Sequence, residues 1–175
     1  LSEVTACWTM AEAVALYEAV KQSNAVYSFG ENYCYFYHML EMKKLYAQGV
    51  IGNLNYADCS YYAAYRGTWI PFCKHKFEWR NWMPQSYYSS HVVGPLLYAT
   101  GLRPVAVSGL ESPNSEPSRS IGKLTDETAA FTVKLANGAM AHFASDFMSA
   151  KSTFLWWFLS GDKGSMENDR AGGGR

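Results

Sequence analysis

The run AAFTVKLANGAMAHFASDF, residues 129–147, decides the fold class. Ala129, Phe131, Val133 and Leu135 fall on one side of a period-two pattern, and Asn137-Gly138 interrupts it with the residue pair typical of a type I′ hairpin turn. Gly138 to Phe147 then returns as a second strand. Alternation with one apolar side implies an antiparallel sheet buried on one face only.

Working outward, Thr153 to Leu159 reads as another strand, apolar on both sides: Leu155, Trp157 and Leu159 oppose Phe154, Trp156 and Phe158. One side should meet helices and the other a partner, with Gly161-Asp162-Lys163-Gly164 as the following turn. Upstream, the Ser/Pro/Asn/Glu-rich stretch Glu111 to Asp126 is expected to be an exposed loop, preceded by a strand from Val105 to Leu110. A helix is expected over Ser90–Thr100, capped by Ser89 or Ser90 and stopped by Gly101 with Pro104 beyond. Arg66 to Pro84 has no periodicity and carries Trp69, His75, Lys76, Trp79, Arg80 and Trp82. Before it, Leu54 to Tyr65 reads as a long strand with Tyr56, Asp58, Ser60 and Tyr62 on one face and Ala57, Cys59, Tyr61 and Ala63 on the other.

Nearer the N-terminus, Tyr35, Met39, Met42 and Tyr46 stripe a helix expected from about Tyr33 to Gln48, with Gly49 as its left-handed stop. Thr9 and Glu12 form a capping box opening a helix to about Ser23, and a short strand follows from Ala25 to Gly30. Strand end, helix and strand in this order read as the remnant of a βαβ crossover. The expected fold is therefore α+β: an open, mainly antiparallel sheet with helices on one face, preceded by a residual βαβ piece.

Fifteen basic and fifteen acidic residues cancel without long blocks of either sign, which argues against nucleic acid or an anionic membrane as partner. No apolar run approaches the roughly 20 residues of a membrane span. Cys7, Cys34, Cys59 and Cys73 form no C-x-x-C pair and are expected to be reduced, in a soluble, cytoplasmic protein.

His91 stands just inside a helix start, where a neutral ring can exchange a proton, although spacing alone fits a capping or packing histidine better. Arg80 beside Trp79 could clamp a hydroxylated or anionic ligand, the indole offering a flat face to a sugar ring; a solvated loop arginine is the plainer reading. Asp58 and Glu78 could pair as carboxylates, but nothing in the sequence fixes them together. His38, His75 and His142 lie on different elements without ligand spacing, so no metal is expected.

The order of motifs resembles the glucose–fructose oxidoreductase/inositol dehydrogenase (Gfo/Idh/MocA) family. That family's strand ending in Glu-Lys-Pro looks like Ser2-Glu3-Val4-Thr5-Ala6, and its Gly-x-Ile-Gly helix stop looks like Gly49-Val50-Ile51-Gly52. Its Trp-Arg ahead of an active-site histidine looks like Trp79-Arg80 and His91, and its late strand-turn-strand resembles Leu159 to Asn168. The resemblance implies the tail of a dinucleotide-binding Rossmann domain over residues 1–31 and a substrate-binding and oligomerisation domain over 32–175, cut short at its C-terminus. It implies NAD or NADP in the complete protein, a sugar or cyclitol substrate, and a homo-oligomer through the open sheet face. His91 would be the acid/base, Trp79, Arg80, Tyr88 and Tyr62 would bind substrate, and Glu3 and Asn32 would lie near the nicotinamide.

Three departures qualify that picture. Val4 stands at the family's lysine position, Gly94 stands where many members carry an aspartate, and the Gly-rich phosphate-binding turn is not in this sequence. Glu31-Asn32-Tyr33-Cys34-Tyr35 and Ser90-His91-Val92-Val93-Gly94-Pro95 are similar to the NAD-dependent N-acetylgalactosaminidase branch, which implies a redox-assisted glycosidase as the alternative activity. A non-catalytic, self-associating domain without a cofactor site is the alternative outside enzymes.

Overall fold

The computed structural model describes residues 1–64, 79–147 and 153–170. Six strands form one sheet in the order β2-β3-β4-β1-β5-β6. They are β1 (Leu54–Tyr62), β2 (Pro104–Glu111), β3 (Thr128–Leu135), β4 (Met140–Asp146), β5 (Phe154–Gly161) and β6 (Ser165–Glu167). Only β1 and β4 run parallel, with Tyr56 opposite Met140 and Tyr62 opposite Asp146; the other pairs are antiparallel. The helices are α1 (Met10–Gln22), α2 (Tyr37–Ala47), α3 (Trp79–Trp82), α4 (Gln85–Tyr88), α5 (Ser90–Thr100) and α6 (Glu116–Ser120). The α+β architecture expected from the sequence is the one observed.

Period-two alternation sends Ala57, Cys59 and Tyr61 of β1, Phe143 of β4 and Trp157 and Leu159 of β5 to one buried face. Met39 and Met42 of α2 and Val92, Leu96 and Ala99 of α5 close over that face and complete the core. The opposite face carries Tyr62 stacked on Phe154, Trp156 stacked on Phe158, and Asp58 in hydrogen-bond contact with His142 Nδ1 at 3.1 Å. Arg170 lies over the Trp156 ring at 3.5 Å, and Glu167 accepts the Trp156 indole N–H at 2.8 Å.

At the N-terminus Ser2 and Phe29 form a parallel bridge with α1 between them, the geometry of a crossover. The Thr9–Glu12 capping box opens α1, none of whose residues is buried.

Four local expectations change. The helix expected from Tyr33 is two elements, a 3₁₀ turn at Asn32–Tyr35 and α2, separated by Phe36 in an extended conformation. Glu31 caps the 3₁₀ turn by accepting the Tyr33 N–H at 3.2 Å, and the break turns Tyr35 away from the Met39–Met42 stripe to 66% exposure. The 135–139 connection is not type I′, because no non-glycine described residue has positive φ. Gly138 alone is left-handed, at φ 90°, and donates to Leu135 O at 2.9 Å, while Leu135 N–H returns to Ala139 O at 2.8 Å. This is a type I turn with a glycine bulge. Asn137 instead uses its side chain, donating to Leu54 O at 2.9 Å across the sheet.

The stretch from Glu111 to Asp126 is not a free loop. Ser118 and Lys123 are buried, Leu124 N–H donates to Asn81 O at 2.8 Å, and Lys123 Nζ reaches Thr125 Oγ1 at 3.3 Å and Met83 O at 3.5 Å. The segment is a strap across α3, held by a lysine that polar composition alone reads as exposed. Finally, Trp79–Trp82 and Gln85–Tyr88 are short helices, the first of them within the span expected to be irregular. Trp69, His75, Lys76 and Glu78 lie outside the described residues.

Candidate functional site

His91 sits in the first turn of α5 and is buried. The helix start is held by Val92 and Val93 N–H groups donating to Ser89 O at 3.0 and 2.9 Å, without the side-chain cap expected of Ser89 or Ser90. Both hydroxyls are buried and have no partner, as has Glu31 Oε2. Polar atoms of this kind are seldom left unpaired in a finished core. Ser89 and Ser90 directly precede His91 in the chain, and Glu31 is its hydrogen-bond partner.

Aromatic rings enclose the imidazole. Tyr33 stacks on it with centroids 4.1 Å apart, Tyr61 meets it edge-on at 5.8 Å and Tyr88 lies at 5.7 Å. The Tyr33 and Tyr61 hydroxyls are 3.2 Å from one another. On the fourth side Glu31 Oε1 is 2.8 Å from His91 Nδ1. Around His91 of α5 the sheet thus contributes Tyr61, the 3₁₀ segment Glu31 and Tyr33, and α4 Tyr88.

Arg80 and Trp79, at the start of α3, join this cluster through Tyr88: Arg80 Nε donates to Tyr88 Oη at 3.1 Å. The guanidinium also lies 4.3 Å from the Trp79 ring centroid, so one indole face is occupied by arginine, and Trp79 remains partly exposed. A cation over an indole and a phenol oxygen is a firm mount for a charged group at a site rim.

Glu3 and Asn32 flank the N-terminal bridge, where Gly30 N–H donates to Ser2 O at 2.7 Å, and both side chains are exposed. Glu31, adjacent to Asn32, connects this edge to His91. Val4 is buried in the core, so the position that the resemblance gives to lysine carries no polar group. Tyr62 is not brought to the cluster. It lies on the other sheet face against Phe154, and its neighbour Tyr61 meets His91 instead. Strand parity is the physical reason, since successive side chains point to opposite faces.

Beyond Tyr33, Phe36 continues the stack at 4.6 Å and opens into an aromatic cleft of about 610 Å³ lined by Tyr35, Tyr37, His38, Thr153, Leu155 and Asn168. Burial lowers the His38 pKa, and its buried Nε2 has no partner. Among the described residues no group of three His, Cys, Asp or Glu side chains is placed to hold a metal, and no helix is long and apolar enough to cross a membrane.

The sheet layered by helices on one face, with a buried histidine at the start of α5, defines an α+β domain. The chain belongs to the family described as the GFO/IDH/MocA C-terminal domain, whose model matches residues 39–167. Scyllo-inositol dehydrogenase from Lactobacillus casei, solved with NAD(H) and scyllo-inositol, is similar at 18% identity and a TM-score of 0.77 over 97% of this chain and 50% of its own. Aldose-aldose oxidoreductase from Caulobacter crescentus, solved with glycerol, is similar at 22% identity and a TM-score of 0.74 over 97% of this chain and 48% of its own. Myo-inositol 2-dehydrogenase from Lactobacillus plantarum follows the same fold at 19% identity and a TM-score of 0.71, over 91% of this chain and 47% of its own. The chain spans half the length of these structures or less. By sequence, none of the curated proteins is similar to it at a significant level.

Proposed function

We propose that this chain is the substrate domain of an NAD(P)-dependent oxidoreductase acting on a hydroxyl of a sugar or cyclitol. The observation that carries the reading is His91, buried among three tyrosines and a carboxylate beside two hydroxyls without partners. A polyol offers many donors and acceptors, the groups with which these unpaired oxygens can bond. The named relatives act on, or were solved with, molecules of that chemistry.

When bound, NAD supplies the hydride acceptor. The residues present fit one end of it: exposed Glu3 and Asn32 offer a carboxylate and an amide beside His91's carboxylate partner, but this sequence has no Gly-rich turn to cradle a pyrophosphate. The chain's own part is to hold and move a proton. His91 takes the proton of the reacting hydroxyl, and Arg80, mounted on Tyr88 and Trp79, orients the remaining hydroxyls. The open face with Tyr62, Phe154, Trp156 and Phe158 is assigned to subunit association, giving a homo-oligomer in the cytoplasm.

A redox-assisted glycosidase is the second reading, favoured by the burial of Val4, which leaves the lysine position without a cation. The test is a panel of sugars and cyclitols given to the complete parent protein with NAD+ or NADP+, wild type against His91→Ala. NADH or NADPH formation lost in the variant supports oxidation, whereas aryl-glycoside cleavage without net NADH supports the second reading. Unchanged turnover in His91→Ala removes His91 from the chemistry.

A further inference from the structure

We infer that Glu31 is the positioning residue for His91, locking the ring as the Nδ1–H tautomer with Nε2 as the only nitrogen able to exchange a proton, and that Gly94 exists to admit it. This rests on His91 being the acid/base of the proposed reaction.

The contact between Glu31 Oε1 and His91 Nδ1 is 2.8 Å, and the two side chains are 6% and 8% exposed. A carboxylate can only accept there, so Nδ1 carries the hydrogen and Nε2 keeps its lone pair in the neutral ring. Glu31 is itself fixed, because the same Oε1 accepts the Tyr33 N–H at 3.2 Å. Tyr33 then stacks on the imidazole at 4.1 Å, so one turn aims both the carboxylate and the covering ring. The groups facing His91 are Glu31 and Tyr33 of the 3₁₀ segment, Tyr61 of β1 and Tyr88 of α4, the last bonded to Arg80.

Gly94 lies one helical turn beyond His91. A Cβ there would stand 2.6 Å from Glu31 Cγ, closer than side-chain atoms approach, and 3.7 Å from Cys34 Sγ. Any other residue would push the carboxylate away from the ring. Gly94 has no positive φ that would otherwise require glycine, so its cost to the helix is explained by this approach. The carboxylate that orients the histidine thus reaches it from the 3₁₀ turn, through a gap left in α5. When His91 takes a proton on Nε2, the imidazolium remains hydrogen-bonded to Glu31, which stabilises the charge without moving a second proton.

The test reads the imidazole ¹⁵N shifts of His91 in the full chain, without cofactor or substrate. Wild type is expected to give a pyrrole-type Nδ1 and a pyridine-type Nε2. In Glu31→Leu and Gly94→Ala the Nδ1–H to Nε2–H ratio should fall about tenfold, the factor expected for a hydrogen bond to a charged group. Glu31→Gln, which keeps an acceptor, should restore the wild-type tautomer. An Nε2–H ring in wild type, or an unchanged ratio in folded Glu31→Leu, overturns the assignment, and the wild-type spectrum decides even if a variant does not fold. Because no turnover is measured, an inactive parent protein with the expected tautomer would refute the oxidoreductase reading and leave the Glu31 assignment standing.

Discussion

Trp157 donates its indole N–H to the Val92 carbonyl at 3.1 Å, joining the floor of the sheet to the first turn of the helix that carries His91. The indole is fully buried, and the Trp157 backbone N–H is taken at 2.7 Å by Asn168 Oδ1. Sheet and site helix are therefore tied by a polar contact inside an apolar core.

Trp157→Phe should be strongly destabilising for its size. It removes the indole's hydrogen bond to the Val92 carbonyl, worth about 0.5–1.5 kcal/mol, and adds a cavity term for the lost ring. Urea unfolding of the full chain measures this. A loss below about 0.5 kcal/mol would mean that water or another donor replaces the indole.

Cys34 lies under the same wall. Burial, followed by the nearby Glu31 carboxylate, raises its thiol pKa to about 11. At pH 8 its thiolate is about a hundredfold scarcer than that of an ordinary cysteine. Among the described cysteines, iodoacetamide labelling followed by peptide mass spectrometry should find Cys7, which is half-buried, modified first and Cys34 and Cys59 only on unfolding. Native-state labelling of Cys34 at the rate seen in denaturant would show that the Glu31 wall opens.

What is legible in the sequence is whatever repeats locally. The alternation through Phe131 and Phe143, the capping box at Thr9 and the left-handed stop at Gly101 all follow from neighbours within a few residues. The Glu31–His91 pair spans 60 positions, and its enabling residue is a glycine whose missing side chain has no local signature. The Asn137 turn escapes a local reading for a related reason, since its side chain is committed to Leu54, 83 positions away. Tyr61 and Tyr62 are separable by parity, but which face meets α5 depends on where the helix packs. Residues 1–31 and 32–175, read from the sequence as parts of two domains, are here joined by Glu31 itself, and by Tyr87 Oη donating to Trp8 O at 2.5 Å.

Asp126 supplies a pH-dependent contribution to stability. Its Oδ2 accepts the Gln85 N–H at 2.6 Å at the start of α4, yet burial dominates and raises its pKa, with Glu111 adding to the rise. A folded-state pKa above the unfolded value means that the ionised carboxylate opposes folding. That penalty is complete above the folded pKa and fades as pH falls through it. Asp126→Asn keeps an acceptor for Gln85 and removes the charge. It should equal or exceed wild type in thermal stability at pH 7, with the difference closing below about pH 4. A variant less stable at pH 7 would show that the charged cap outweighs the burial.

Gly161 provides the sharpest test of the long-range clasp at the end of β1. Lys163 N–H donates to Ile51 O at 3.0 Å, Asp162 N–H to Asn53 O at 3.1 Å, and Asn53 N–H returns to Asp162 Oδ1 at 2.9 Å. The helix-stop turn and the β5–β6 turn thus grip one another directly. A Cβ at Gly161 would stand 2.1 Å from Ile51 O and 2.7 Å from Asn53 O, both backbone atoms that cannot swing aside. Gly122 is the control: its φ is +97°, and beyond its chain neighbours no atom lies within 4 Å of where its Cβ would stand. Gly122→Ala carries conformational strain alone, about 1 kcal/mol, whereas Gly161→Ala must part the two turns and should exceed about 3 kcal/mol. Denaturant midpoints of the two variants compare these costs directly. Equal losses would mean that the turns yield easily and that the clasp does not hold β5 in register; a Gly161→Ala loss several times larger makes it a principal fastening of the sheet beneath the site.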